Sequence, residues 1–457
     1  MARNKQGDYT LYSHHVVEVS DPVLYEEIFP YSEIPKIEFY NKDIPYQMPD
    51  DIWITDTTFR DGQQSMASFT VEQILKIYDY LHEIDNDMGI IRQSEFFLYS
   101  EKDREAVEIC LQRGYQFPEV TSWIRANETD FNLVKNMGIK ETGMLMSCSD
   151  YHIFKKLSLN RKQAMEKYLS IAERALEIGI KPRCHLEDIT RADFFGFVVP
   201  FVNNLNALGK KAGIQIKIRA CDTLGLGLPY VGVQTPRSVP GIIHGLQEYC
   251  GLSSESIEWH GHNDYNNVVT NSTTAWLCGA SSVNTTLLGI GERTGNCPLE
   301  AMLIEYAQFK GSRNINFEVI NELTEYFEKE FDYAIDPKRP FVGSDFNMTK
   351  AGVHADGILK YEAIYNSFDT KTILGKPIVI KVNQTSGLAG IAAWINSYYG
   401  LKENNRIHKK DPRVQMVKVW IDDQYGKGRT TDISNDELKG LFKKYFTTQY
   451  INSEEVN

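Results

Sequence analysis

The sequence predicts an α/β protein built on a (β/α)8 TIM barrel, with an N-terminal arm and a mainly helical C-terminal domain. Eight short β-prone stretches, each followed by one helical stretch, fill about 260 residues, the size of such a barrel. Polar residues crowd the ends of those stretches, where barrels of this kind build their active sites. A doubly wound open sheet is the competing architecture, but no G-x-G-x-x-G stands in the first βα turn.

Residues 1–50 are rich in Tyr and Pro (YEEIFPYSEIPKIEFYNKDIPYQMPDD), hold neither a helical nor a strand period, and read as an extended arm that packs on something. The barrel occupies 51–311. IWITDTT is followed by a helix from Thr70 to Asp85, GIIRQSEFF by one from Glu101 to Arg113, FPEVTSW by one from Glu128 to Met137, and ETGMLMSC by one from Asn160 to Ile178. PRCHLEDI leads to a helix from Asp193 to Ala212, IKIRACDT to one from Ser238 to Cys250, SIEWHGHND to one from Val268 to Cys278, and SVNTTLLGIG to one from Pro298 to Phe309. Residues 312–457 form the C-terminal domain: helix-dominated sequence, a stretch bearing Pro and Gly, and a polar tail after Leu401 with little strand pattern.

Charge narrows the function. Lys and Arg total 49 against 61 Asp and Glu in 457 residues, a net −12 that opposes binding to nucleic acid or an anionic membrane. With 42% hydrophobic and 24% charged residues, a small-molecule enzyme is the leading class. Seven cysteines form no CxxC pair and are odd in number, which predicts free thiols in the cytoplasm. No apolar run reaches the roughly 20 residues of a membrane span, and the N-terminus has no apolar signal core. His14 and His15 read as part of a solvated arm.

Strand one ends in D56-T-T-F-R-D-G-Q-Q64, strand seven in H260-G-H-N-D264, and strand eight runs into G289-I-G-E-R-T-G-N296. Residues i and i+2 of a strand share a face, so His260 and His262 aim the same way. The glycines of the third segment, Gly291 among them, let backbone approach a ligand, while Glu292, Arg293 and Asn296 supply polar contacts. Strand eight adjoins strand one when a barrel closes, which brings Asp61, His260, His262 and Asn296 around one point. One carboxylate, two imidazoles and an amide oxygen, with no thiolate, suit a divalent metal ion: Mn²⁺ is favoured, with Co²⁺, Mg²⁺ or Zn²⁺ also compatible.

DTTFRDGQQ, HGHND, DTLG (222–225), GIGERTGN and GVHADG (352–357), in that order, resemble the metal-dependent acyl-CoA aldol-condensing (DRE-TIM) barrels: isopropylmalate, homocitrate, citramalate and Re-type citrate synthases. The resemblance covers roughly residues 50–360. It is strongest to the Re-type citrate synthases through TDTTFRDGQQS, IIRQSEFFLYS and FPEVTSWIRA. No C-terminal regulatory domain of the isopropylmalate synthases is evident. The resemblance implies that the metal chelates a 2-oxo acid and that Arg60 stabilises the developing alkoxide, with Gln64 in support. It further implies that Thr223 bonds the acceptor's carboxylate, that Glu187 does acid–base work, and that His354 reaches the neighbouring subunit's site in a homodimer. By themselves Glu187 and Asp188 read equally as helix caps, Thr223 as a turn residue and His354 as a surface histidine.

Arg125 matches an arginine that homocitrate synthases use for a distal carboxylate, which argues for a 2-oxo dicarboxylate acceptor. Strand two departs from the family's IExGFP-like stretch: Phe96, Phe97 and Tyr99 are expected to narrow the pocket around Glu95. The resulting expectation is condensation of acetyl-CoA with oxaloacetate to citrate. Homocitrate synthase is the alternative, followed by isopropylmalate or citramalate synthase, a lyase or carboxytransferase on the same barrel, and a noncatalytic scaffold. Cys148, Cys184, Cys221 and Cys297 fall near strand ends and raise the expectation of oxygen sensitivity.

Overall fold

The computed structural model describes residues 15–25, 46–311, 315–401 and 405–446. Most of the expected arm, His14 and the end of the polar tail (447–457) lie outside the described residues. The chain divides into two compact units, 1–316 and 317–457.

The first unit is a closed parallel barrel in which each strand pairs with its sequence neighbour and β1 pairs with β8. The strands are β1 Trp53–Asp56, β2 Ile91–Phe96, β3 Glu119–Arg125, β4 Glu141–Ser147, β5 Lys181–Glu187, β6 Lys217–Asp222, β7 Ile257–Gly261 and β8 Ser282–Thr285. Closure excludes the open-sheet alternative. The helices α1 Val71–Asp85, α2 Glu101–Gln112, α3 Phe131–Asn136, α4 Arg161–Glu177, α5 Val199–Ala212, α6 Val239–Cys250, α7 Val268–Leu277 and α8 Leu299–Lys310 follow the strands in turn.

Local chemistry sets the boundaries. Thr70 and Asn160 start α1 and α4 with capping boxes, their side chains accepting from the N–H of Gln73 and Gln163, whose own side chains reach back. Gly213 and Gly251 end α5 and α6 in the left-handed region, where a side chain would be strained. Two expected helices are subdivided. The stretch from Glu128 opens as a 3-10 turn, Glu128–Asp130, before α3, and the stretch from Asp193 opens as a π-helical turn, Phe194–Val198, before α5, where Pro200 falls in the tolerated first turn.

The barrel interior carries charge where such barrels usually carry branched apolar side chains. Arg219 on β6 bonds Glu95 on β2 at 2.9 Å and Glu258 on β7 at 2.8 Å; Arg183 on β5 bonds Glu95 at 2.9 Å. Lys217 closes the lattice on Glu141 at 3.0 Å. Strands two and six are on opposite sides of the barrel, so the Glu95–Arg219 contact crosses its axis.

Arm residues 17–24 are tied to loops that follow β4 and β5. Val17 N–H donates to Gly196 O (2.9 Å), Val23 N–H to Asp150 Oδ2 (2.6 Å) and the Tyr151 hydroxyl to Leu24 O (2.8 Å). Arg161, wholly buried, holds Asp150 and Asp193 and donates to Val17 O.

The second unit contains α9 Val319–Phe331, α10 Gly352–Lys360, α11 Thr370–Leu374, α12 Gly387–Tyr398, α13 Pro412–Gly426 and α14 Asn435–Phe446. Ile391, Trp394, Val414, Ile421, Leu438 and Phe442 form part of its own apolar core. The sequence after Leu401 therefore continues as packed helices, since Val414, Val417 and Ile421 recur at helical spacing beneath a polar composition. No helix among the described residues is long and apolar enough to cross a membrane.

Candidate metal centre and active site

Asp61, Asn296, His260 and His262 arrive from three barrel segments. Asp61 follows β1, His260 lies in β7, and His262 just beyond β7 forms an isolated bridge with Asn296 after β8. Backbone bonds lock the two later loops together: Asn263 N–H donates to Gly295 O, and His262 N–H to Asp222 O. Arg293 adds a side-chain link, bonding Asp264 (2.9 and 3.2 Å) and the carbonyl of Thr223 (2.6 Å).

All four side chains are buried. Asp61 Oδ2 lies 3.4 Å from His260 Nε2 and 3.7 Å from His262 Nε2, and ligand atoms of these three residues sit within 4.8 Å of one another. Asn296 Nδ2 donates to Asp61 Oδ2 at 2.8 Å, which leaves Asn296 Oδ1 buried with no hydrogen-bond partner. A Cβ on Gly291 would stand 2.4 Å from that oxygen, so glycine is what this position admits. His262 Nδ1 is also buried and unbonded.

The tautomer of His260 follows from its neighbour. Asn284 uses its Nδ2 to donate to Thr55 Oγ1 (2.9 Å), so its Oδ1, 2.8 Å from His260 Nδ1, must accept. Nδ1 then carries the proton and Nε2 presents a lone pair toward Asp61. Burial lowers the pKa of both imidazoles, His262 to about 4, and keeps them in the neutral form that binds cations. Burial works to raise Asp61, but Arg60 and the two histidines outweigh it and hold the carboxyl well below the usual range. An ionised carboxylate, two neutral imidazoles and an unbonded amide oxygen fit a divalent ion.

Arg60 completes the cluster. Its Nη1 is 2.9 Å from Asp61 Oδ1, its guanidinium lies over Trp123 (4.7 Å to the ring centroid), and its Nε is buried and unbonded, 3.9 Å from Glu95. Gln64 stands exposed on the short 3-10 turn Gly62–Ser65, while Gln63 beside it is buried. Glu292 is exposed in its loop.

Glu187 ends β5 in a dense set of donors: the Ser147 hydroxyl, His152 Nδ1 at 2.9 Å, and Lys156 Nζ at 3.1 and 3.2 Å. Burial raises its pKa, yet His152, Ser147 and Lys156 bring it down to about 2. It does not cap the following turn. Thr223 Oγ1 accepts from Asp188 N–H (2.9 Å), which leaves its own hydroxyl hydrogen unused by that bond.

Arg125, the last residue of β3, is exposed; it packs over Tyr99 and directs Nε to Asp130 Oδ2 at 3.3 Å. Phe97 and Tyr99 edge onto Trp123, but Phe96 stacks on Phe59 (4.5 Å) and meets Tyr78 of α1. Phe96 therefore belongs to the layer between barrel and helices, and the expectation that it narrows the pocket is corrected: neighbouring strand residues face opposite ways. His354 is in the second unit, exposed on α10 against Tyr365.

All seven cysteines are free and buried, with burial raising each thiol; Cys297, for example, is pushed up to about 12. None of Cys148, Cys184, Cys221 and Cys297 is the exposed thiolate that oxygen sensitivity through these residues requires.

Asn284 and His152 escape sequence reading. Asn284 sits in an ordinary strand, and its role depends on a partner 24 residues away. His152 follows a strand end, the one available signal.

A model of the HMGL-like family matches residues 51–326. Among curated proteins, the Citrate (Re)-synthase of Clostridium kluyveri is 62% identical over 97% of this chain and 98% of its own length. The Citrate (Re)-synthase of Syntrophus aciditrophicus is 48% identical over 96% of this chain and 70% of its own. The 2-phosphinomethylmalate synthase of Streptomyces hygroscopicus is 39% identical over 94% and 98%.

Proposed function

The chain belongs to the HMGL-like family, and on that premise we propose that it condenses acetyl-CoA with oxaloacetate and hydrolyses the citryl thioester to citrate and CoA, as a citrate synthase of Re-face stereochemistry. It is an acyltransferase-type enzyme. The observation that carries the chemistry is the buried cluster of Asp61, His260, His262 and Asn296 with its unbonded amide oxygen. The near full-length likeness to two citrate (Re)-synthases supports the acceptor.

Those four residues would hold a divalent ion, Mn²⁺ in this reading, and the chemistry it would supply there is Lewis-acid polarisation of the acceptor's carbonyl. Arg60, fixed by Asp61 and Trp123, places positive charge where the alkoxide develops, the kind of preorganised contact that contributes most to such a transition state. Thr223 donates its hydroxyl to the acceptor's carboxylate. Arg125, whose Nε is turned toward Asp130, supplies the guanidinium for the distal carboxylate, a contact a branched alkyl acceptor could not use. Gly291 and Glu292 line the same mouth, Gln64 supports it, and Glu187 belongs to the acid–base apparatus.

We assign the enzyme as a homodimer in which the partner's His354 reaches the site. Exposed Val353, Tyr361, Ile364 and Tyr365 on and after α10 support this, because they form an apolar surface around His354. The free cysteines support a reducing compartment, the cytoplasm.

The test is the fate of label. Citrate made from labelled acetyl-CoA is cleaved by a lyase of Si-face specificity; label retained in the oxaloacetate product supports Re-face addition, and label released as acetate contradicts it. In the same assay Arg125→Ala is expected to raise the KM for oxaloacetate about 10- to 100-fold, the loss of a charged hydrogen-bond pair.

A further inference from the structure

We propose that His152 is the proton acceptor for the acetyl methyl group, oriented by Glu187, so that the acid–base pair is complete within one chain; the proposal rests on the condensation reading above.

Geometry carries the inference. His152 lies in a π-helical turn, Tyr151–Lys156, immediately beyond β4. The wider turn sets His152 and Lys156 side by side against the carboxylate that ends β5, Nδ1 at 2.9 Å and Nζ at 3.1 and 3.2 Å. An ionised carboxylate only accepts, so the neutral imidazole has its hydrogen on Nδ1 and its lone pair on Nε2. The nearest carboxylate to Nε2, Asp188 Oδ2, is 3.7 Å away and is already held by Arg191 (2.8 Å) and the Ser149 hydroxyl (2.5 Å). In that tautomer Nε2 offers its lone pair at the C-terminal end of the barrel, on a side chain that is mostly buried.

Glu187 itself is a poor acceptor. Its oxygens are engaged by three donors that stabilise the charged form. What such a carboxylate does well is fix the imidazole's orientation and stabilise the imidazolium once formed. The support is rigid on the other side too. Asp150 and Tyr151, the two residues before His152, are bonded to arm residues Val23 and Leu24, and Asp150 is clamped by the wholly buried Arg161 at 2.7 and 2.8 Å.

The step balances without another reagent. A C–H bond of the acetyl methyl breaks, its proton goes to Nε2, and its electron pair forms the new bond to the acceptor's carbonyl carbon. The carbonyl oxygen takes the displaced pair and receives the proton from the imidazolium, leaving the tertiary hydroxyl.

The experiment compares the full-length, Mn²⁺-supplied enzyme with His152→Ala, His152→Asn and His354→Ala, reading thiol release with oxaloacetate, Mn²⁺ affinity by calorimetry and far-UV dichroism. The expected result is a loss of about 10³-fold in kcat for both His152 variants. Mn²⁺ affinity, dichroism and the KM for oxaloacetate stay as in wild type, and added imidazole restores turnover to His152→Ala. Turnover within about threefold of wild type in either His152 variant overturns the proposal, as does rescue by imidazole in His354→Ala and not in His152→Ala. A wild-type enzyme inert toward every acceptor removes the condensation reading itself, whereas an active wild type with an active His152→Ala removes only this assignment.

Discussion

In the middle of the barrel, Glu95, Glu141 and Glu258 meet Arg183, Arg219 and Lys217 and form a lattice of buried ion pairs. At the mouth, Asp61, His260, His262 and Asn296 are buried as deeply, but Asn296 Oδ1 and His262 Nδ1 have no partner. Of the strands only β7 serves both, giving Glu258 to the lattice and His260 to the mouth. What separates them is composition: the lattice sets each acid against a base and leaves one donor, Arg183 Nε, without a hydrogen bond, whereas the mouth gathers prospective ligand atoms of Asp61, His260 and His262 within 4.8 Å of one another. Buried polar groups without partners carry a desolvation cost of about 1–3 kcal/mol each, so a ligand that bonds them gains accordingly.

The comparison makes opposite predictions for substitutions in the two regions. The largest effect is expected from His262→Ala. Neither ring nitrogen makes a protein hydrogen bond, so the melting temperature should move by no more than about 3 °C. Thiol release should fall by about 10³-fold or more, because an open coordination site is lost. A drop in melting temperature that matches the loss of activity would place His262 in the structural class with the lattice. Next comes Arg219→Met, which strips Glu95 and Glu258 of a buried partner. It should destabilise the protein by about 3–5 kcal/mol in denaturant titration; an unchanged midpoint would show that the lattice is not a stabilising element. The smallest expected effect is from Asn284→Ala. With the tautomer of His260 no longer fixed, calorimetry should show Mn²⁺ binding weakened about 10- to 100-fold, and the orphaned imidazole N–H should cost about 1–3 kcal/mol of stability. Unaltered affinity would mean that His260 is oriented by packing alone.

Much of this division is legible in the sequence. The alternation of strands and helices over 51–311 gives the barrel, because a period change from 2 to 3.6 is visible in one dimension. Asp61, His260, His262 and Asn296 are legible because they lie at the C-terminal ends of strands or in the loops that follow, and barrel closure brings strands one and eight together. The lattice is not legible. Nothing in the strand sequences marks Arg183, Arg219, Glu95 and Glu258 as partners, and only the three-dimensional register shows that Arg219 crosses to Glu95. The side taken by Phe96 is not legible for a related reason: the face of a strand residue depends on where pairing begins, and one position changes it from pocket to helix layer. His152 depends on a π-helical turn, for which no sequence period exists.

The central claim is that the mouth is a metal-dependent site for condensing acetyl-CoA with a four-carbon 2-oxo dicarboxylate. Free-thiol release from acetyl-CoA by the anaerobically purified enzyme, with oxaloacetate or 2-oxoglutarate and with Mn²⁺ or a chelator, tests it most directly. Release is expected with oxaloacetate and Mn²⁺, is lost on chelation, and does not rise above background with 2-oxoglutarate. Release with 2-oxoglutarate alone, or release with oxaloacetate that survives chelation, would contradict it.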